Sequence, residues 1–172
     1  MYHAGDFTYI AVTGPGDLNG TWFNVYADLF PDIDALLTLA DERGLDIHAG
    51  SAKIMKAYSL MILVDLLDDV PLSEALEGTD VISPKSDEGT AVYDAALALL
   101  DEAIAQLDGT SAPPPAVDNY YGGDAAKWLA LANTLKLRAA LNKRLIDPSG
   151  SASTFNSVVD LNIIDETSED FQ

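Results

Sequence analysis

Four acidic side chains cluster in the stretch DLLDDVPLSEAL (65–76), where an apolar helical run meets a proline. They are Asp65, Asp68, Asp69 and Glu74. Carboxylates at such a junction can ligate a cation or act as a general acid and base, so this is the first candidate for chemistry. Their spacing does not match an EF-hand calcium loop, which needs alternating acids, a central glycine and a closing glutamate.

The same stretch also has the features of a helix terminator. Asp68 lies where the chain would leave the helix, a position that favours Gly, Asn or Asp because they tolerate left-handed backbone. Pro71 restricts Val70 to an extended conformation, and Ser73 can cap a short following turn. We therefore predict that residues 68–71 end a helix, and we favour this role over a catalytic or metal-binding one.

The remaining residue types that carry chemistry form no recognisable motif. His3 and His48 are far apart in the sequence, and neither lies in a metal-binding pattern. There is no cysteine, so thiolate zinc sites and cysteine catalysis are excluded. A glycosidase-like pair of carboxylates stays open, because acids are too abundant for their number to exclude it. We predict no metal, no cofactor and no enzymatic activity.

The composition limits the partners. The 172 residues include 28 acidic and 9 basic side chains, which gives a formal net charge of -19 at pH 7. This charge argues against nucleic acid and against adsorption to an anionic membrane surface. The longest apolar run, residues 60–64, is far shorter than the roughly 20 residues of a membrane-spanning helix. The amino terminus shows no signal peptide.

Apolar residues recur at three- and four-residue spacing, which predicts an all-α fold. We expect a single helical domain over residues 1–172, with a loop region at 1–20, four main helices within 21–146 and a linker or tail at 147–172. The helices are predicted at about 21–44, 49–67, 87–107 and 124–146. The predicted boundary residues are Pro31 as a kink or break, Gly44 and Gly109 as helix stops, and Ser86 and Asp124 as N-caps.

Five of the nine basic residues lie on the fourth predicted helix: Lys127, Lys136, Arg138, Lys143 and Arg144. An anion site is one interpretation of this pattern. In a chain this acidic, we favour neutralisation of the neighbouring helices.

Aromatic residues in or beside predicted loops could stack on the apolar faces of sugar rings, while Asp, Asn and Arg side chains hold the hydroxyl groups. These residues are Tyr2, Tyr9, Trp22, Tyr120 and Tyr121. Tyr93 and Trp128 lie on apolar helix faces, so we predict that both belong to the core.

Three segments carry a resemblance to one protein family when they are taken in order: residues 52–76, 84–108 and 118–145. Together they resemble the SusD/RagB family of glycan-binding outer-membrane lipoproteins. AKIMKAYSLMILVDLLDDVPLSEAL (52–76) resembles the family's lysine-alanine helix and its Asp-x-Tyr-Gly-Asp-Val/Ile-Pro-Tyr-x-Glu-Ala turn. PKSDEGTAVYDAALALLDEAIAQLD (84–108) is similar to its Pro-x-x-Asp helix. DNYYGGDAAKWLALANTLKLRAALNKRL (118–145) resembles its Tyr-Gly-Gly-Asp, Lys-Trp and Ala-Asn-x-Leu-Lys-Leu-Arg elements. The turn departs from the family at Leu67, Asp68 and Leu72, which replace Tyr, Gly and Tyr.

The resemblance covers about residues 20–172 and implies paired helices of tetratricopeptide-like geometry with long ordered loops. It implies the amino-terminal part of a longer, non-enzymatic protein that binds oligosaccharides, or peptides, at the cell surface. Such a protein delivers its ligand to a SusC-like TonB-dependent transporter in the outer membrane, to which it is anchored by a lipidated cysteine absent from this chain. The alternative is a soluble helical-repeat scaffold that mediates protein–protein interaction.

In this family the loop before the first paired helix often contributes to ligand binding. Here that loop covers residues 14–22, so the resemblance makes Asn19 and Trp22 candidate ligand-binding residues, and we add Tyr9 from the preceding segment. For Trp22 the alternative is an inward position as the first residue of the helical stripe.

Overall fold

The structure, a computed structural model, describes residues 16–78 and 80–171. In these residues the regular elements are helices, apart from an isolated antiparallel bridge between Val70 and Asp87. The predicted all-α class is therefore confirmed. The elements are α1 (Asn19–Phe23), a π-helical segment (Asn24–Leu29), α2 (Phe30–Arg43), α3 (Asp46–Leu67), α4 (Gly89–Leu107), α5 (Ala125–Lys143), α6 (Pro148–Val158) and a short 3-10 helix (Thr167–Glu169).

The first predicted helix changes type at its proline but does not break. The Phe30 N–H donates to the carbonyl of Val25, five residues back, which is the hydrogen bond of a π-helix. Pro31 follows at once and has no N–H to donate to the residue four positions back. The wider π-helical turn thus lies where the proline prevents a complete α-helical ladder, and α2 continues beyond it.

The core lies where α3, α4 and α5 meet. Ile54, Leu60 and Met61 of α3 are completely buried, as expected for a helix that packs between others. Burying side chains of this size stabilises the fold by roughly 1.5–3 kcal/mol each. A Cβ atom on Gly50 would lie 2.6 Å from Cγ of Leu107, so α3 and α4 approach closely at this end.

Three of the predicted helix boundaries follow from local sequence and are confirmed. Gly44 and Gly109 have φ angles of 64° and 66°, the left-handed backbone that favours glycine after a helix. The Asp124 carboxylate caps α5 by accepting hydrogen bonds from the N–H groups of Ala126 and Lys127.

The predicted N-cap of the third main helix is wrong. The helix α4 begins at Gly89, and Ser86 lies outside it. The Gly89 N–H instead donates to Oδ1 of Asp69 at 2.9 Å, so the capping carboxylate comes from 20 residues earlier in the chain. A cap of this kind binds one of the first N–H groups of the helix, which have no partner within it.

The interpretation of residues 147–172 as linker and tail needs correction, because this segment contains the helix α6. Asp147 accepts a hydrogen bond from the Gly150 N–H at 3.0 Å, and Pro148 occupies the first turn. An aspartate N-cap followed by proline is a helix start as well as a stop for the preceding helix. From the sequence alone, Asp147 and Pro148 were predicted only to stop the preceding helix.

Gly89→Ala should destabilise the protein by about 1–3 kcal/mol. The new Cβ would lie 2.6 Å from the Asp68 carbonyl oxygen and 3.0 Å from Cγ1 of Val64, and a backbone atom cannot move aside cheaply. Equilibrium urea unfolding measures the change. Gly20→Ala is the matched control, since nothing lies within 4 Å of a Cβ atom there. Equal stability of the two variants would contradict this close approach.

Candidate binding surfaces

The acidic stretch and Asp87 form a hydrogen-bonded unit, here called the acidic turn (residues 68–73 with Asp87). The Val70 N–H donates to the Asp87 carbonyl at 3.2 Å, and the Asp87 N–H donates to the Val70 carbonyl at 3.0 Å. The Asp87 carboxylate also accepts from the N–H groups of Leu72 and Ser73, at 2.8 and 2.7 Å. With the cap that Asp69 provides, these bonds fasten the turn to the start of α4.

The charge state of Asp87 suits this structural role. The Ser73 N–H, then the Ser73 hydroxyl and the Leu72 N–H, stabilise the ionised carboxylate and lower the pKa of Asp87. A carboxyl with a lowered pKa is a poor general acid at neutral pH. Asp68 has a φ angle of 69° at the end of α3, so the predicted helix terminator is confirmed.

Asp65, the first acid of the stretch, joins three helices. Its carboxylate accepts a hydrogen bond from the Tyr93 hydroxyl at 2.6 Å and pairs with Arg138 at 2.9 Å. Asn142 donates to the Tyr93 oxygen at 2.9 Å. Burial, followed by the bond to Asp65, raises the pKa of Tyr93 to about 12. The network connects α3, α4 and α5, so the contacts of Asp65 are structural.

The basic side chains of α5 serve their acidic neighbours. Lys136 pairs with Asp101 at 2.5 Å, and Lys143 pairs with Asp94; both acids lie on α4. Arg138 pairs with Asp65 of α3, as described above. For these three residues the structure confirms neutralisation of neighbouring helices, which was favoured over an anion site.

Of the predicted ligand-binding residues, Asn19 and Trp22 lie in α1, and Tyr9 lies outside the described residues, as do Tyr2 and His3. The helix therefore starts before Trp22 and includes both candidates. Trp22 is 38% exposed, so it does not take the fully inward position considered as its alternative. Asn19 is also exposed.

Trp22 is the outer member of an aromatic ladder, defined as Trp22, Tyr26 and Phe30. The ring centroids of Trp22 and Tyr26 lie 4.5 Å apart, and Tyr26 meets Phe30 edge-on at 5.3 Å. Phe30 is buried. The Tyr26 hydroxyl donates to the Pro71 carbonyl at 2.7 Å, and burial raises the pKa of Tyr26 to about 12. The acidic turn thus holds the ladder that supports Trp22.

A second aromatic group is organised by one carboxylate, that of Asp118. Its Oδ1 accepts from the N–H groups of Tyr120 and Tyr121 at 2.9 and 3.1 Å, and its Oδ2 from the N–H of Gly123 and Nε1 of Trp128 at 2.9 and 2.8 Å. Burial opposes ionisation of this carboxyl. The four hydrogen bonds outweigh burial, so the pKa of Asp118 is lowered.

The loop that Asp118 organises buries two aromatic rings and exposes a third. Tyr121 and Trp128 are buried, while Tyr120 is 43% exposed. One face of the Tyr120 ring stacks on Phe171, with centroids 4.4 Å apart and planes inclined by 25°. The prediction that Trp128 belongs to the core is confirmed, as is that for Tyr93.

A cleft of about 240 Å³ lies beside Tyr120, between α2, α3 and the loop that precedes α5. We call it the Tyr120 cleft; it is lined by Leu36, His48, Ser51, Met55, Pro115, Val117, Asp118, Asn119, Tyr120 and Trp128. Sequence reasoning named Tyr120 only as a possible platform residue and did not find the cleft. The Asp-Asn-Tyr-Tyr run was the available signal, but it does not show which helices the loop packs against.

Two further observations concern the described residues as a whole. Residues 16–78 and 80–171 contain no group of three or more His, Asp or Glu side chains placed to hold a metal ion. Across the same ranges, no helix is both long enough and apolar enough to cross a lipid bilayer.

Residues 9–171 match the SusD-like family described as "Starch-binding associating with outer membrane". Because the match covers most of the chain, the chain belongs to this SusD-like family. This confirms the family inferred from the three sequence segments. No curated protein sequence matches the chain.

Solved structures share the fold. A chitin-binding protein superposes with a TM-score of 0.80 at 26% identity, over 94% of this chain and 35% of that one. A SusD-like protein from Bacteroides thetaiotaomicron gives 0.81 at 22% identity, over 94% and 34% of the two chains. A SusD/RagB family protein from the same species gives 0.74 at 26% identity, over 90% and 33%. The predicted SusD-like arrangement of paired helices is confirmed, and the chain spans about a third of the length of these relatives.

Asp118→Asn should lower the free energy of unfolding by about 1–3 kcal/mol, because an amide cannot accept all four hydrogen bonds and leaves buried donors unpaired. Urea unfolding at neutral pH measures the loss. Asp108→Asn is the matched control: Asp108 is exposed, and its carboxylate makes no hydrogen bond in the described structure. The assigned role of Asp118 is wrong if both variants unfold at the same urea concentration.

The difference in unfolding stability between wild type and Asp118→Asn should depend on pH, and the direction of the change follows from the lowered pKa of Asp118. The folded-state pKa of Asp118 lies below its ordinary value of 3.8, so its stabilisation is complete above that pH and is lost as the pH falls through the folded-state value. The stability difference between wild type and Asp118→Asn should therefore be largest at neutral pH and should shrink below about pH 3.8. A difference that stays constant on acidification would contradict this.

Proposed function

We propose that this chain is part of a non-catalytic cell-surface protein that binds oligosaccharides. The family match over residues 9–171 carries the proposal, because that family is described as starch-binding and as associating with the outer membrane. A structural relative at 26% identity is a chitin-binding protein. Starch and chitin are both polymers of uncharged sugars, which a protein with a net charge of -19 does not repel.

The surface around Trp22 supports this proposal. Asn19 and Trp22 are three residues apart on a helix, so they share one face. An exposed indole ring can stack on the apolar face of a sugar, and the neighbouring amide can both donate to and accept from its hydroxyl groups. The ladder behind Trp22 holds the ring in place, which reduces the entropy that binding costs. We include Tyr9 as a third contact.

The rest of the function follows from the family. We propose that the chain forms the single helical, amino-terminal domain of a longer SusD-like protein, consistent with its covering about a third of similar structures. The full-length protein would be lipid-anchored at the outer membrane and would pass its ligand, an oligosaccharide or a peptide, to a SusC-like TonB-dependent transporter. The acidic composition leaves nucleic acid out of the proposed partners.

The acids with a clear pKa shift in the described residues are Glu74, Asp87, Asp118 and Asp147, and each has a lowered pKa, which supports binding without catalysis. A glycosidase needs one acid with a raised pKa to protonate the leaving group. Both oxygens of Asp118 accept from N–H donors, and those of Asp87 accept from two N–H groups and the Ser73 hydroxyl. Of the acids in the opening stretch, Asp69 caps α4 and Asp65 joins the helix network, as described above, while Glu74 pairs with Lys85.

Trp22→Ala should weaken binding of a neutral oligosaccharide about tenfold, since the loss of one stacked aromatic ring costs about 1 kcal/mol or more. Isothermal titration of the full-length protein with maltohexaose and chitohexaose measures the affinity. Phe23→Ala is the matched control: it also removes an exposed ring, 60% accessible, but points about 100° away around the helix.

Two outcomes would overturn the proposal. Wild-type protein that binds neither probe nor other neutral oligosaccharides, and does not co-purify with a β-barrel transporter, would favour the protein–protein scaffold instead. Hydrolysis of a probe that disappears on changing a single Asp or Glu would show that the protein is an enzyme.

A further inference from the structure

We propose that the Tyr120 cleft is a separate subsite that binds one ring of a neutral glycan. The inference rests on the proposed function. It adds the location of a second binding site and the statement that the ligand bound there is uncharged. The cleft is lined by α2, α3, the loop before α5 and Trp128 of α5, and the aromatic ladder contributes none of its residues to it. It is therefore a second sugar-binding surface in addition to that at Trp22.

Tyr120 supplies the stacking platform. Phe171 stacks on the Tyr120 ring and Trp128 meets it in a T-shaped contact, yet the residue as a whole is 43% exposed, which leaves part of Tyr120 open to a ligand. The electron-rich face of an aromatic ring attracts the C–H groups on the apolar face of a pyranose. The Tyr120 N–H donates to Asp118, and Phe171 backs the ring, so the platform is held before a ligand arrives.

Polar groups around the platform can bind sugar hydroxyls. The exposed Asn119 side chain makes no hydrogen bond within the described residues, so its amide is available as both donor and acceptor. The Ser51 hydroxyl donates to the carbonyl of Ile47 at 2.8 Å, which leaves its oxygen as an acceptor. His48 also lines the cleft, but its Nδ1, which has no hydrogen-bond partner in the described structure, is buried from solvent, so the polar contacts are assigned to Asn119 and Ser51. An apolar wall with a few such groups is typical of small-molecule sites.

The charges of the cleft favour an uncharged ligand. All nine Lys and Arg residues lie within the described part of the chain, and none of them lines the cleft. A uronic acid or a sulfated sugar would therefore find no cation, and the ionised Asp118 in the wall would repel it. A volume of about 240 Å³ is below the ~300–1,000 Å³ usual for drug-sized ligands, so we assign a single ring to the cleft.

Titration calorimetry of the full-length protein tests the platform. The probes are maltohexaose and chitohexaose, with hexagalacturonate as an anionic probe of the same length. Tyr120→Ala should weaken binding of the preferred neutral probe about five- to tenfold, whereas Tyr120→Phe, which keeps the ring and its stack on Phe171, should bind within about twofold of wild type. Hexagalacturonate should not bind at the cleft.

Methyl NMR of the wild-type protein provides a readout that does not depend on how the Tyr120 variants fold. Val117 is 76% exposed and lines the cleft, as does Met55. Their methyl signals should shift on addition of the neutral probe, and they should still shift in Trp22→Ala at a higher probe concentration. The proposal is confirmed if the dissociation constant from these shifts equals the calorimetric dissociation constant of the binding that Tyr120→Ala weakens.

The two proposals fail in different ways. If a neutral probe binds, but the Val117 and Met55 methyl signals do not move and Tyr120→Ala binds like wild type, the Tyr120 cleft is not a subsite and the proposed function stands. If hexagalacturonate shifts these methyl signals, the cleft accepts a charged sugar, and the assignment of an uncharged ligand is wrong. Absence of binding by any neutral probe would overturn the proposed function, and with it this inference.

Discussion

The hydrogen bonds from the N–H groups of Leu72 and Ser73 to the Asp87 carboxylate set the path of the chain between α3 and α4. The bond from the Gly89 N–H to Asp69 closes the same unit from the other side. Once the turn is fixed, the Pro71 carbonyl is in place to accept the Tyr26 hydroxyl. A long-range contact therefore connects the acidic turn to the aromatic ladder and to the exposed ring of Trp22.

Asp118 repeats this device at the other aromatic surface. One carboxylate collects four N–H donors and determines which rings are buried and which is exposed. Hydrogen bonds of this kind to an ionised group are stronger than those between neutral groups. The two proposed binding surfaces therefore depend on the same physical principle, an ionised aspartate that satisfies backbone N–H groups in an irregular loop.

The features that the sequence predicted correctly are those that depend on contacts between residues close together in the chain. Gly44, Gly109 and Asp124 were predicted as boundaries because their effect on the backbone acts within a few residues. Ser86 was wrong as a cap because the true partner of Gly89 is Asp69, 20 residues away, and no local pattern reports such a pairing. The Tyr120 cleft was missed for the same reason, since its walls come from separate segments that only the tertiary fold brings together.

The helix α6 was missed because Asp-Pro carries two meanings at once, and the apolar periodicity that follows it is too weak to choose between them. The family was recognised because it depends on the order and spacing of three segments, to which each helix contributes separately. The sequence placed Asn19 in the loop before the first helix, which was predicted to begin at about residue 21, whereas α1 begins at Asn19 itself. The support behind Trp22 could not be predicted from the sequence. It depends on the hydrogen bond from Tyr26 to Pro71, which lies 45 residues further along the chain.

The carboxylates that accept from backbone N–H groups also divide the acids of this protein into two populations. Asp69, Asp87 and Asp118 each hold a specific atom at a specific distance, so the reach of the side chain matters as much as its charge. One additional methylene group would move the oxygens away from their donors. The exposed acids Asp32, Asp41 and Glu42 of α2 make no hydrogen bond or ion pair within the described residues, so for them the length of the side chain is of little consequence. Aspartate and glutamate are thus interchangeable on part of the surface of this protein and chemically different residues in its loops.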